Sequence, residues 1–126
     1  MKQLILLFLA FSLSSCQQQQ KKGVYTSITI DAFKEIYDTK SKIQVLDVRT
    51  PEEWEKGFIK GAIFDNFYDE NFSDKSAKTL DKKQPVYVYC RSGGRSVKAS
   101  KMLIEKGFTN VINVEGGYLA WEKLEK

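Results

Sequence analysis

Val88-Tyr89-Cys90-Arg91-Ser92-Gly93-Gly94-Arg95-Ser96 joins a β-branched and aromatic run to a stretch whose apolar residues recur at helical spacing. Val86-Tyr87-Val88-Tyr89 reads as a central strand, and residues 95–106 as a helix with Ala99, Met102 and Leu103 on one face and Gly107 as its stop. A cysteine therefore stands between a buried strand and the first turn of a helix. Backbone N–H groups of a tight glycine-rich turn converge on one point, and the helix N-terminus adds partial positive charge there. That is an anion cradle, and it favours the Cys90 thiolate over the thiol. Arg91 and Arg95 add charge, and residues 90–96 contain no acid to oppose them. Ser92, Gly93, Gly94 and Ser96 complete the candidate binding loop. The bland alternative is a lone cysteine buried as inert core. The strand-end position, the paired glycines and the two arginines argue against it.

Outward from this loop, extended apolar runs alternate with amphipathic stretches. Residues 24–30 are β-rich, and residues 31–37 follow as a short helix on which Ala32, Phe33, Ile36 and Tyr37 share a face. Ile43-Gln44-Val45-Leu46-Asp47-Val48 is a strand. It stops at Arg49-Thr50-Pro51-Glu52-Glu53, where Thr50 can cap, Pro51 suits the first helical position and Glu53 completes a capping box. That helix ends near Gly57. Residues 64–83 mix aromatics with Asn, Asp, Ser and Lys and read as a long loop with one helical turn around residues 76–80. Residues 110–114 form another strand and residues 117–124 a closing helix. Strands separated by helices argue an α/β fold with a parallel sheet covered on both faces. Ligands of such sheets bind beyond the carboxyl ends of the strands, where Cys90 sits.

The 126-residue chain, 42% apolar and 13% aromatic, suffices for one core. Its formal charge of +4 comes from interspersed charges of both signs, which is a solvated surface and not a nucleic-acid footprint. There is no histidine. Ser-His-Asp triads, Cys-His pairs and His-ligated metals are therefore excluded, and with only Cys16 and Cys90 a zinc cluster is not expected. A nucleophile here must be activated by its local field, and a preformed thiolate needs neither base, metal nor cofactor.

At the Cys90 loop the chain also resembles a known family. Cys90-Arg91-Ser92-Gly93-Gly94-Arg95-Ser96 is similar to the active-site loop of single-domain rhodaneses, and three other segments agree in order and spacing: Leu46-Asp47-Val48-Arg49 with the helix after it, Gly57-Phe58-Ile59-Lys60-Gly61-Ala62, and Glu115-Gly116-Gly117-Tyr118-Leu119-Ala120-Trp121. The resemblance covers residues 25–125. It implies a rhodanese-like α/β fold with a central parallel sheet of about five strands and helices on both faces. It also implies a sulfurtransferase in which Cys90 is the nucleophile and residues 91–96 bind a small anionic sulfur donor, the acceptor being cyanide or a thiol such as that of a thioredoxin-like protein. The departure is Phe58, where the family usually carries histidine. That histidine is not the base of the implied mechanism, so the expectation is altered packing beside the loop. Asp47 and Arg49 read as structural partners at the sheet end, and Gly116, Gly117 and Trp121 as turn and core.

The first 15 residues read as an address. Lys2, an apolar run from Leu4 to Leu13 and small residues before a cysteine make a signal peptide, the run being about half the ~20 residues that a spanning helix needs. Leu13-Ser14-Ser15-Cys16 resembles the lipobox of bacterial lipoproteins, which implies cleavage before Cys16, lipid on Cys16 and a membrane anchor; the alternatives are an ordinary signal peptide with a chance cysteine and an apolar anchor left uncleaved. Gln17 is not the acidic residue associated by that resemblance with inner-membrane retention, so the periplasmic face of the outer membrane is preferred over the inner membrane. Residues 16–23 read as lipidated cysteine and flexible tether, holding a domain of residues 24–126 about 15 Å from the anchor. Lipidation of Cys16 leaves Cys90 without an intrachain partner.

Three function classes fit a thiolate cradle: sulfur transfer through a persulfide, a non-catalytic persulfide carrier, and Cys-based phosphate or arsenate chemistry. By family resemblance the phosphatase loop has five residues between Cys and Arg. Cys90 and Arg95 have four between them, which favours sulfur.

Overall fold

A computed structural model describes residues 21–126; the expected signal peptide, Cys16 and the glutamine run lie outside the described residues. The elements in chain order are β1 (Val24–Ile28), α1 (Ile30–Thr39), β2 (Gln44–Asp47), α2 (Pro51–Glu55), β3 (Ile63–Phe64), α3 (Asp74–Thr79), β4 (Val86–Tyr89), α4 (Gly94–Glu105), β5 (Asn110–Val114) and α5 (Gly117–Leu124). The strands form one five-stranded sheet in the order β1-β5-β4-β2-β3, parallel throughout. This is the expected α/β architecture, with β4 at the centre.

Alternation along the strands divides the core between the two faces. Leu46, Val86, Val88 and Val111 point into one layer with Phe72, Leu80, Ala99, Leu103 and Phe108, which α3, α4 and their flanks bring down on the sheet. Val45, Tyr87, Tyr89, Ile112 and Val114 point to the other, under Phe33 of α1 and Trp121 of α5. Phe33 is the anchor of that layer: its ring lies 5.6 Å from Tyr87 and 5.8 Å from Trp121, within the range of favourable tilted aromatic pairs. Tyr37 meets Trp121 edge-on at 5.0 Å.

Local chemistry explains the element boundaries. Thr29 caps α1 by accepting from the Ala32 N–H at 3.2 Å. Glu53 reaches back to the N–H and hydroxyl of Thr50 at 3.4 and 3.2 Å, the third-position half of the expected box. Gly107, with φ +97°, ends α4 in the left-handed conformation that glycine adopts without penalty.

Two sequence expectations need correction. Met102 is 38% exposed, so it is not part of the buried face of α4, which Ala99 and Leu103 make with Ser96 and Ser100. The region 64–83 is also more ordered than a loop with one turn. Ile63 and Phe64 pair with Leu46 and Asp47 as an edge strand, and the helical segment runs over Asp74–Thr79. Its N-terminus is satisfied from far upstream: the buried Asp65 carboxylate accepts from both the N–H and the hydroxyl of Ser76. A two-residue strand has no readable alternation, and a cap 11 residues away has no local signature.

Candidate active site

Parallel strands deliver their C-terminal ends to one edge of the sheet. Since β2 and β4 are neighbours, the N-termini of α2 and α4 emerge side by side there. Between β4 and α4 the chain makes the turn Cys90-Arg91-Ser92-Gly93. Gly93 adopts φ +132°, which aims its N–H back at the Cys90 sulfur at 3.0 Å. The Ser96 hydroxyl lies 3.4 Å from the same sulfur and 3.1 Å from the Gly93 carbonyl. In the thiol form Cys90 donates to Ser96; in the thiolate form the rotatable hydroxyl can turn to donate to sulfur.

Burial alone pushes the Cys90 thiol up. The Ser96 hydroxyl and the N–H groups of Ser96, Gly93 and Ser92 outweigh it, so the thiol lies below its ordinary range. Cys90 is only 1% exposed. Above Gly93 and Gly94, however, added Cβ atoms would meet nothing within 4 Å, so the open side of the loop lies over the glycines. A terminal sulfur or another narrow reactive atom can approach from that side.

The two arginines are not equivalent. Arg95 is held by the Glu53 carboxylate in a forked pair, with Nη1–Oε1 2.7 Å and Nη2–Oε2 2.9 Å, and its guanidinium lies 5.7 Å from the Tyr68 ring. The expectation that no acid opposes the loop therefore holds for residues 90–96 only: α2 supplies one in space. Arg91 is exposed, makes no ion pair among the described residues, and lines an open hollow of about 330 Å³ with Arg49, Lys56, Tyr118 and Glu122.

A support that sequence reasoning missed comes from α5. The N–H groups of Tyr118 and Leu119 donate to the carbonyls of Cys90 and Arg91 at 2.8 and 3.1 Å. The turn's carbonyls are thus taken from behind, leaving its N–H groups to face the sulfur. Gly117 permits this approach, with φ +54° and room for no Cβ, which would come 2.7 Å from the Arg91 carbonyl oxygen. The adjacent glycines had signalled a turn, but nothing local says which loop the turn braces.

Asp47 and Arg49 form the expected pair at the sheet end. Arg49 is 2% exposed and forks onto Asp47 at 2.7 to 3.1 Å, donates to the Gly57 carbonyl at 2.8 Å and lies 4.2 Å from the Tyr118 ring centroid. Burial works against its charge, but Asp47 more than offsets it. Tyr89 links this pair to the sheet: its hydroxyl donates to Asp47 and accepts from the Ile59 N–H at 3.1 Å. Phe58 is half-exposed and packs edge-on against Phe64, which stacks on Trp54.

The Rhodanese-like domain family matches residues 29–124. The chain belongs to this family. Among its relatives, the Putative sulfur carrier protein YrkF of Bacillus subtilis is 35% identical over 94 residues, 75% of this chain and 49% of that protein; the chain thus spans about half of that relative. Thiosulfate sulfurtransferase 16, chloroplastic, of Arabidopsis thaliana is 38% identical over 87 residues, covering 62% of this chain and 72% of that protein. The crystal structure of a rhodanese-like domain protein from Staphylococcus aureus superposes with a TM-score of 0.68 at 32% identity, covering 76% of this chain and 90% of that one. The two curated relatives just described are named for sulfur carriage and sulfur transfer, and the fold is that of the family.

Proposed function

We propose that this rhodanese-like domain is a sulfurtransferase that moves sulfane sulfur through a persulfide on Cys90. The observation that carries the reading is the set of donors converging on the Cys90 sulfur, which holds negative charge there without any imidazole. The thiolate attacks the terminal sulfur of thiosulfate, the S–S bond of the donor breaks, and sulfite leaves with the bonding pair. The product is a persulfide anion on Cys90. Attack on its outer sulfur by cyanide, or by a thiolate such as that of a thioredoxin-like protein, returns the Cys90 thiolate and gives thiocyanate or an acceptor persulfide. Charge balances in each step, and no external oxidant is needed. The loop N–H groups serve as the fixed dipoles for each anion, and Arg91 is the cation free to receive the donor's sulfonate end.

A carrier reading, in which Cys90 holds sulfur for a partner protein, is favoured by the relative named as a putative sulfur carrier protein. Intact mass after thiosulfate separates the readings. We expect a gain of one sulfur, about 32 Da, on Cys90, discharged by cyanide as thiocyanate, and both lost in Cys90→Ser. An adduct that cyanide cannot discharge supports the carrier; no adduct, with phosphate released from an aryl phosphate, supports phosphatase chemistry. From Leu13-Ser14-Ser15-Cys16 we infer further that the domain works on a lipid anchor at Cys16, facing the periplasm.

A further inference from the structure

Lysines in the connecting segments of this domain are sorted along the strand axis. All five strands run the same way, so every segment leading into a strand reaches the edge of the sheet opposite Cys90. In those segments, residues 21–23, 40–43, 59–62, 80–85 and 106–109, each charged residue is lysine except Asp81; Lys56, just after α2, lies on the Cys90 side instead, lining the hollow beside Arg91. The segments that follow strands, residues 29, 48–50, 65–73, 90–93 and 115–116, contain no lysine at all; their cations are the buried Arg49 and Arg91, set among carboxylates. Lys40, Lys42, Lys60 and Lys83 are exposed, and none pairs with a carboxylate among the described residues. Two adjoining hollows, of about 410 and 570 Å³, share Lys40, Lys42 and Ile43 on this edge, and Lys60 lines the larger. The basic rim is therefore concave and mixed with apolar surface.

The chain enters the domain at the same edge. Gly23 precedes β1, and Cys16 lies only seven residues before it. We propose that the lysine rim docks on a membrane surface of anionic phospholipids, so that the tethered domain stands on its basic end with the Cys90 loop turned away from the bilayer. The proposal rests on the reading of Cys16 as a lipid anchor, which brings this edge to the headgroups. Lysine ammonium groups then meet phosphates, and the attraction adds to an acyl anchor as a polybasic patch does. One strand length, roughly 15 Å, separates the docked edge from the loop. Sulfur donors and thiol acceptors reach Cys90 from the aqueous side.

The test places full-length protein on vesicles of phosphatidylcholine alone and of phosphatidylcholine mixed with phosphatidylglycerol, and follows lysine acetylation residue by residue by mass spectrometry. Lys40, Lys42 and Lys60 should be protected several-fold on the anionic vesicles only, with the protection lost at high salt. Lys56, which lines the hollow beside Arg91, should react equally on both. Exchanging Lys40→Gln together with Lys42→Gln should weaken the hold on anionic vesicles roughly twenty-five-fold, at about fivefold per lysine, and expose Lys60. Equal acetylation of the three lysines on the two vesicle types overturns the docking, as does equal protection by inorganic phosphate alone, which would mark a small-anion site. Intact mass of the same preparation reports the anchor separately: acyl chains on Cys16 support it and their absence sinks it, while lysine protection decides the docking in either case.

Discussion

Arg95 and Glu53, 42 residues apart in the chain, meet in a forked ion pair of 2.7 and 2.9 Å beside the Cys90 loop. An arginine that the local sequence offers to the substrate is thus already matched by a carboxylate, and Arg91 is left as the free cation. Replacing Glu53 by Gln keeps a side chain that can serve the α2 cap but removes the opposing charge. Glu53→Gln should tighten thiosulfate binding on the order of three- to tenfold, read as a lower KM for the dianion. An unchanged KM would show that Arg95 does not reach the donor even when released.

The same pair predicts a pH dependence of stability. The Arg95 hydrogen bond, opposed by burial, holds the Glu53 carboxyl below the usual carboxylate range. A carboxyl lowered on folding contributes stability that is complete above its unfolded pKa and is lost as pH falls through the folded one. Wild-type protein should lose more stability than Arg95→Ala between about pH 5 and pH 3, and the two should differ most near neutrality. Parallel urea midpoints across that range would remove the pair from the account of acid stability.

Ser96 stands buried behind the Cys90 sulfur, with a hydroxyl that can turn to the thiolate. Ser96→Ala removes that donor and leaves the N–H groups in place. The Cys90 thiol should titrate higher, and alkylation at neutral pH should slow on the order of tenfold, the worth of one charge-assisted hydrogen bond. Iodoacetamide rates against pH measure both. A midpoint that stays put would assign the thiolate to the backbone alone.

Gly117 and Gly61 both have positive φ, +54° and +91°, but differ in surroundings. A Cβ on Gly61 meets nothing within 4 Å, so Gly61→Ala should cost only the conformational penalty, about 1 to 2 kcal/mol. One on Gly117 strikes the Arg91 carbonyl oxygen, so Gly117→Ala must also push α5 off the loop. It should cost at least about 2 kcal/mol more and lower Cys90 reactivity, which Gly61→Ala leaves unchanged. Equal urea midpoints for the two variants would contradict the buttress.

Much of this protein was legible without coordinates because its signals are local. The bounds of β4, β5 and α5, the cap of α2, and the place of Cys90 between strand and helix follow from alternation, turn residues and capping side chains within a few positions of each other. Less could be read where the governing contact is distant. The edge strand β3 has too few residues to show a period, α3 takes its cap from Asp65, and Met102 has the right helical spacing yet turns to solvent at the margin of the buried face.

By itself, then, the amino-acid sequence determined that a cysteine sits in a glycine-rich turn at the end of a buried strand, and that no histidine serves it. Strand order decided the rest. Placing β2 beside β4 set Glu53 against Arg95, folding α5 against the end of β4 put two N–H groups on the carbonyls of the turn, and running all strands in parallel gathered lysines at the edge away from Cys90. The physical reason is that backbone conformation and capping act over a few residues, whereas charge pairing and carbonyl satisfaction depend on which chain ends the sheet brings together.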